Sequence, residues 1–166
     1  MLRKAFRAAS VTWAAALPLV PLAASRPWAE SLGIGYAFAF LMYSIGSVIC
    51  HQRPERSFHL FGAPFPVCAR CTGIYVGAAL ASMVSMLLWG TPLRASPTRT
   101  AFPTTRTVLL ASALPTLATL VYEWTTGQTP DNWVRASSGL PLGATVAWIV
   151  CTGTGVSRTL GRLPSP

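Results

Sequence analysis

The side chains best suited to metal binding or catalysis lie in one short segment, residues 50–75. This segment holds three of the four cysteines, Cys50, Cys68 and Cys71, and both histidines, His51 and His59. Cys50 ends one apolar stretch, and Cys68 and Cys71 open the next, so an antiparallel helix pair would bring the three thiols to one interface. Residues three apart lie on the same side of a helical turn, and Cys68 and Cys71 can therefore chelate one ion or close one disulfide.

The first chemistry that suits this pattern is metal binding. Three thiolates and one imidazole form a tetrahedral shell for Zn²⁺ or another soft metal, with His51 or His59 in the fourth position. Consecutive helical residues point about 100° apart, so Cys50 and His51 can share an ion only where the helix has ended, which Pro54 favours. A cytoplasmic position would keep the thiols reduced. We therefore expect a metal site, with zinc as the metal, built from Cys50, His51, Cys68 and Cys71.

The second chemistry is thiol–disulfide exchange. Cys68 and Cys71 would form the redox pair, Arg70 and the amino terminus of the helix would stabilise the thiolate, and Cys50 would act as the resolving thiol. A quinone in the membrane is the fitting electron partner. Inert packing is the third alternative, because cysteine is commonly buried. Packing is the role we expect for Cys151, which stands alone in an apolar helix.

Seven polar residues are predicted to line the site. Glu123 is the strongest candidate for a site residue among the acids. A carboxylate at membrane depth is costly in free energy unless it forms an ion pair or has a function. The forked guanidinium group of arginine suits phosphate oxygens, so these arginines could hold an anionic lipid head group. Their alternative role is to anchor the helices by the positive-inside rule. Two alternative functions follow. One is a small transporter that uses Glu123 and Arg135, and the other is an enzyme that binds a lipid phosphate through the arginines. Whether the protein is an enzyme stays open. The seven residues are Gln52, Arg53, Arg56, Arg70, Glu123, Asn132 and Arg135.

The composition predicts where this site must sit. Of the 166 residues, 52% are hydrophobic and only 10% are charged, whereas soluble domains have about 25% charged residues. So few charges cannot cover the outside of a small globule, which excludes a soluble enzyme. The 13 basic residues are spread over every loop, so nucleic-acid binding is not expected. We predict an all-α integral membrane bundle with the lipid bilayer as its partner, and a homo-oligomer is compatible with it.

Four apolar runs are predicted to cross the membrane as helices. Residues 31–49, 72–90 and 136–157 are free of charge, and a fourth run, residues 107–122, is broken by Pro115. These lengths approach the roughly 20 residues that a helix needs to cross about 30 Å of hydrocarbon. A fifth run, residues 8–24, contains Pro18 and Pro21 and is either another helix or a signal-type segment. Together these runs predict one membrane domain over residues 1–166, with the Cys/His motif in the loop 50–71.

The order of the predicted crossings places the loops relative to one another. Loops 50–70 and 123–135 are separated by two crossings, so they share one face of the membrane. The basic residues near the amino terminus favour a cytoplasmic amino terminus, which puts the Cys/His loop in the cytoplasm as well. Small residues four apart permit close helix contact. The pairs with this spacing, which predict packing and not chemistry, are Gly73 with Gly77 and Gly139 with Gly143.

The motif around the cysteines resembles that of a known family. The letters Cys-His-Gln, Arg-Ser-Phe and Phe-Pro-Val-Cys-Ala-Arg-Cys-Thr-Gly-Ile-Tyr, followed by Gly77, resemble the small prokaryotic membrane proteins grouped as domain of unknown function 2085. The later Asn132 and Arg135 are similar to its Asn-x-x-Arg, while Glu123 and Trp124 stand where the family tends to have Asp and Gly. The resemblance implies an α-helical protein of the inner membrane, bacterial by this likeness, whose cysteine motif is the working part. It implies no particular reaction.

Overall fold

The fold is an all-α bundle, which confirms the predicted fold class. The computed structural model describes residues 1–25, 33–87 and 105–152. The predicted helix positions 31–32, 88–90 and 153–157 lie outside these residues. Five α-helices are described: α1 (Leu2–Ser25), α2 (Ile34–Ile49), α3 (Ala69–Leu87), α4 (Thr105–Thr126) and α5 (Asn132–Thr152). A 3-10 turn (Pro54–Arg56) and a two-stranded antiparallel hairpin, β1 (His59–Leu60) and β2 (Ala63–Pro64), join α2 to α3.

Four of the five helices are long and apolar enough to cross a membrane, namely α1, α3, α4 and α5. The fifth, α2, has 16 residues and is about 24 Å long, which is less than the hydrocarbon thickness of about 30 Å. The four candidate membrane-spanning helices are therefore not the same four that the sequence predicted. Residues 31–49 were expected to span, whereas the uncertain run 8–24 belongs to a 24-residue helix that continues through Pro18 and Pro21.

The tightest helix contact joins α3 to α5. A Cβ atom added to Gly73 would overlap the backbone of Ala136, and one added to Gly143 would overlap the backbone of Ile74. Small residues thus let the two backbones touch, as predicted for these glycines. Cys151 is fully buried in this contact, where its Sγ lies 3.9 Å from Ser82 Oγ. This burial agrees with the packing role expected of Cys151.

The glycine contacts also fix the helix directions. The contacts of Gly73 with Ala136 and of Gly77 with Leu140 advance together along both helices, so α3 and α5 run parallel. Helix α4 packs on α5, with Thr116 Oγ1 donating to the Ser138 carbonyl at 2.8 Å. The end of α4 lies beside the starts of α3 and α5, at the end of the bundle that carries Cys68 and Cys71, which we call the site end. Loops 50–70 and 123–135 therefore share one face, as predicted.

Helix α1 begins at the opposite end of the bundle. Arg7, in its second turn, lies close to Cys151 at the end of α5. Further along, the Trp13 ring packs edge-on against Tyr75 with centroids 5.9 Å apart, and the later part of α1 reaches Met42 of α2 and the hairpin. Helix α1 thus rises from the opposite end to the site end.

Helix α2 packs mainly against α1, and not in the antiparallel pair with α3 that the sequence predicted. Val20 of α1 contacts Ala39 and Met42 of α2 in a small apolar cluster. The thiols meet for a different reason: α2 ends at Cys50 where α3 begins. Helix α2 therefore ends at the site end, where Cys50 meets Cys68.

Candidate metal centre and arginine cavity

Three cysteine thiols converge at the site end. The Sγ atoms of Cys50, Cys68 and Cys71 all lie within 4.8 Å of one another and are half-buried, and all three thiols are free. Cys50 leaves α2 with an extended backbone (φ −149°, ψ 146°), which turns its side chain toward the next segment. The Cys68 amide donates a hydrogen bond to Cys50 Sγ at 3.2 Å. Cys71 lies in the first turn of α3, where the Thr72 amide donates a hydrogen bond to the Cys68 carbonyl.

Gln52 fastens the end of α2 to the segment that precedes α3. Its Nε2 donates to the Tyr43 carbonyl at 2.6 Å and to the Pro66 carbonyl at 2.7 Å. Gln52 has a positive φ of 47°, and Gly46 leaves room for the Pro66 carbonyl, which a Cβ would overlap. The Tyr43 hydroxyl donates to the Pro64 carbonyl. Gln52 was predicted to line the site, but it positions Cys50 relative to Cys68 instead of lining the cavity described below.

The Cys68 thiol lies in an environment that favours its ionised form. A hydrogen bond from the Cys71 side chain lowers the pKa of Cys68 well below its ordinary value, against the opposing effect of burial. Backbone groups of Cys71 and Arg70 at the start of α3 act in the same direction. A thiolate at a helix amino terminus is the ligand form that soft metals require.

The two histidines lie apart from the thiol cluster. His51 is exposed and lines the same cavity as the cysteines, but among the described residues the group of ligating atoms within 4.8 Å consists of the three thiols. His59 is exposed on β1 and faces a separate depression beside Asn132 and Trp133. The structure thus brings together three of the four predicted ligands, with His51 at the rim.

A buried carboxylate organises the arginines. Glu123 Oε1 accepts hydrogen bonds from Arg70 Nη2 at 2.8 Å and from Arg135 Nε at 3.1 Å, and its Oε2 lies 3.4 Å from Arg56 Nη1. Glu123 is 8% exposed and Arg135 only 2%. Arg70 Nη2 also donates to Thr119 Oγ1 at 3.1 Å. The sequence named all four charged residues and the face they share, and the structure assembles them into one cluster.

Asn132 holds the start of α5 against the motif loop. Its Nδ2 donates to the Ser57 carbonyl at 3.0 Å, and the preceding Asp131 caps the helix by accepting the Trp133 amide at 2.8 Å. The Trp133 ring contacts Phe58, with centroids 4.9 Å apart. Asn132 therefore lies beside the site as a fastening residue, outside the cavity that was expected to include it.

One cavity joins the thiols to the arginines. Its volume is about 580 Å³, within the size range of small-molecule sites. The sequence missed its apolar wall, formed by Ile49, Leu120 and Trp124. A signal for Leu120 exists, because it stands three residues before Glu123 on the same helix face. The predicted residues that line the cavity are Cys50, His51, Arg53, Arg56, Cys68, Arg70, Cys71, Glu123 and Arg135.

The helices and the comparisons with known proteins together define a multi-pass membrane protein. The chain belongs to the family of predicted membrane proteins designated domain of unknown function 2085, whose model matches residues 50–149. That match begins at Cys50 and covers every residue of the thiol and arginine groups. The resemblance seen in the motif is thereby confirmed.

Two archaeal proteins are similar to this chain. An uncharacterized protein of Methanothermobacter thermautotrophicus is 39% identical over 101 residues, which is 60% of this chain and 81% of that protein. An uncharacterized protein of Methanocaldococcus jannaschii is 49% identical over 43 residues, 26% of this chain and 28% of that one. No solved structure matches the chain. Both relatives are archaeal, so they lend no support to the expected bacterial inner membrane.

Proposed function

We propose that this membrane protein binds a thiophilic metal ion, with zinc the best candidate, through Cys50, Cys68 and Cys71. The observation that carries the proposal is the convergence of three Sγ atoms within 4.8 Å. Zinc–sulfur bonds of about 2.3 Å in a tetrahedron require sulfur atoms about 3.8 Å apart. The thiols need only a small contraction to reach that spacing.

The fourth coordination position faces the cavity. His51 lines that cavity and, as a fourth ligand, would close the shell and make the metal structural. A water or a substrate group in the same position would leave an open site capable of Lewis-acid chemistry. The two arrangements make opposite predictions for metal binding by His51→Ala. The substitution removes a ligand from the closed shell and none from the open site.

Elemental analysis of detergent-purified full-length protein, prepared without added metal, tests the proposal. We expect about one equivalent of metal per chain in the wild type and in Cys151→Ser, the matched control for a thiol outside the cluster. Cys68→Ser and Cys71→Ser should lose the metal. Wild-type protein that lacks metal even after incubation with zinc would overturn the proposal.

A second candidate, a thiol–disulfide oxidoreductase, is favoured by the approach of the Cys68 and Cys71 Sγ atoms to within 4.8 Å of each other. In this case the pair would close a disulfide, and two electrons and two protons would pass to a membrane quinone. Counting free thiols under denaturing conditions distinguishes the candidates. Metal binding leaves four thiols per chain after the metal is chelated, whereas an oxidised pair leaves two. The transporter hypothesis gains no comparable observation and stays a prediction.

We further propose that the site faces the outside of the membrane. With α1, α3, α4 and α5 as the four crossings, the amino terminus and the site end lie on opposite sides. By chain order, eight of the 13 basic residues then share the side of the amino terminus, and five belong to the site side. Of these five, Arg56, Arg70 and Arg135 already pair with Glu123. The positive-inside rule therefore favours a cytoplasmic amino terminus and an external site, in place of the expected cytoplasmic one.

A further inference from the structure

The cavity carries more positive charge than its own acid neutralises. Arg53, Arg56, Arg70 and Arg135 line it, and Glu123 is the carboxylate among its described lining residues. Four positive charges against one negative leave a surplus of three. A divalent ion with three thiolates has a net charge of minus one, so two positive charges stay uncompensated even when the proposed metal is bound.

Two of these arginines carry donors that pair with no described residue. Arg70 Nε and Arg135 Nη2 are buried and have no hydrogen-bond partner among the described residues. Arg135 is 2% exposed, so water does not readily satisfy its guanidinium. Buried donors of a charged group are costly to leave unpaired. The cluster is therefore electrostatically incomplete, and an anion would complete it.

Glu123 acts as a positioning residue for this cluster. Its two carboxylate oxygens gather guanidinium groups from three separate elements, with Arg56 from the 3-10 turn, Arg70 from α3 and Arg135 from α5. One carboxylate cannot satisfy the donors of three guanidinium groups, since each offers up to five N–H bonds. The arrangement presents several converging forks, which is the geometry that recognises phosphate oxygens in a bidentate manner.

The shape of the cavity indicates the size of the ligand. A volume of about 580 Å³ exceeds that of a lone phosphate ion, and one wall is formed by Ile49, Leu120 and Trp124. Trp124 is 78% exposed on the outside of α4, next to the exposed Val121. A ligand with a phosphate group and an apolar body would fill both parts of the cavity.

We propose that this cavity binds a phosphate group, held by Arg70, Arg135 and Arg56 and carried either by a lipid head group or by a soluble phosphate. The site lies next to the thiol cluster and goes beyond the metal-binding proposal. It does not require the metal, because the charge surplus and the unused donors are present without it.

Binding to the purified full-length protein in detergent tests this inference. Isothermal titration calorimetry with inorganic phosphate measures the soluble ligand, and native mass spectrometry with phosphatidic acid measures the lipid. Diacylglycerol, which lacks the phosphate, is the matched lipid control. Arg70→Gln should weaken binding of phosphate or phosphatidic acid at least tenfold. The Arg56 side chain is partly exposed, so the Arg56→Gln variant should fold normally. It should weaken binding several-fold.

Lys4→Gln is the charge-matched control, because Lys4 is exposed near the start of α1 at the opposite end of the bundle. It should bind like the wild type. Retention of phosphatidic acid without diacylglycerol or free phosphate would assign the site to a lipid head group, and binding of free phosphate would assign it to a soluble ligand. No binding of either, or equal losses in Arg56→Gln and Lys4→Gln, would overturn the inference.

The metal proposal and this inference fail separately. Cys68→Ser should lose metal but keep phosphate binding, and Arg56→Gln should lose affinity for phosphate but keep the metal. Phosphate binding with no metal in the wild type would overturn the metal proposal alone. Metal without phosphate binding would overturn this inference alone.

Discussion

At the residue scale, Glu123 is the residue on which most of the site depends. It is 8% exposed, and it contacts three guanidinium groups. Burying a carboxylate is costly, but removing it from a buried ion pair costs more, because the remaining charges lose their partner. The balance makes Glu123 structurally necessary whether or not a ligand is bound.

We expect Glu123→Gln to lower the free energy of unfolding by about 3 kcal/mol, as is typical of a broken buried ion pair. The substitution keeps the volume of the side chain but leaves Arg70 and Arg135 without a counter-charge. Thermal unfolding in detergent measures the effect. Glu55→Gln, at an exposed position in the 3-10 turn, is the control and should change stability by less than about 0.5 kcal/mol. Equal melting temperatures for the two variants would show that the cluster contributes nothing to stability.

At the scale of helices, the contact between α3 and α5 holds the site in register. The two helices run parallel and start at the site end, so Arg70 on one and Arg135 on the other reach the same carboxylate. Gly73 lies one turn from Arg70, and its partner position on α5 is Ala136, next to Arg135. The close backbone approach and the arginine cluster are therefore parts of one local structure.

Gly73→Ala should destabilise the bundle by about 1–3 kcal/mol, the usual cost of overpacking. The new methyl group would meet the Ala136 backbone, which cannot move aside as a flexible side chain could. Thermal unfolding in detergent again provides the measurement. Ala118→Val adds apolar bulk at an exposed position of α4 and should leave the melting temperature unchanged. A wild-type melting temperature in Gly73→Ala would contradict the close contact of α3 and α5.

At the scale of the whole molecule, the number of crossings decides which side of the membrane the site faces. In the proposed topology α1 crosses and the 16-residue α2 does not, so the amino terminus and the motif loop would lie on opposite sides. A crossing α2 would place them on the same side. The side matters for chemistry, because an external site meets extracellular metal and oxidant, whereas a cytoplasmic one meets reducing thiols.

Epitope tags in intact cells test this topology. A tag inserted at the exposed turn Phe61–Gly62 of the hairpin should bind antibody without permeabilisation, whereas a tag after Met1 should require it. Both insertions should preserve the fold, because the turn and the amino terminus are exposed. Tags that behave alike would show that α2 crosses the membrane. A hairpin tag accessible only after permeabilisation, with the amino-terminal tag accessible before it, would invert the proposed orientation.

The cysteine motif could be interpreted from local sequence. The spacing of Cys68 and Cys71 places both thiols on one turn at the start of α3, whereas Cys50, 18 positions before Cys68, comes near them through a tertiary contact. Small residues four apart likewise indicated that α3 and α5 each allow close helix contact, although not that they contact each other. Helical periodicity is a local property, and it decides which side chains share a face before any tertiary contact forms.

The sequence by itself determined the membrane class, the family, the helix-forming segments and the shared helical turn of Cys68 and Cys71, because composition and periodicity act over short stretches of chain. Only the tertiary structure decided that α2 packs against α1, that Gln52 and Asn132 fasten the loop outside the cavity, and that His51 lies at the rim. It alone also showed that three arginines share Glu123 and that two of them keep donors with no partner among the described residues. These features depend on contacts between residues up to 75 positions apart, and the geometry of such contacts is set by how whole helices pack, which no local pattern encodes.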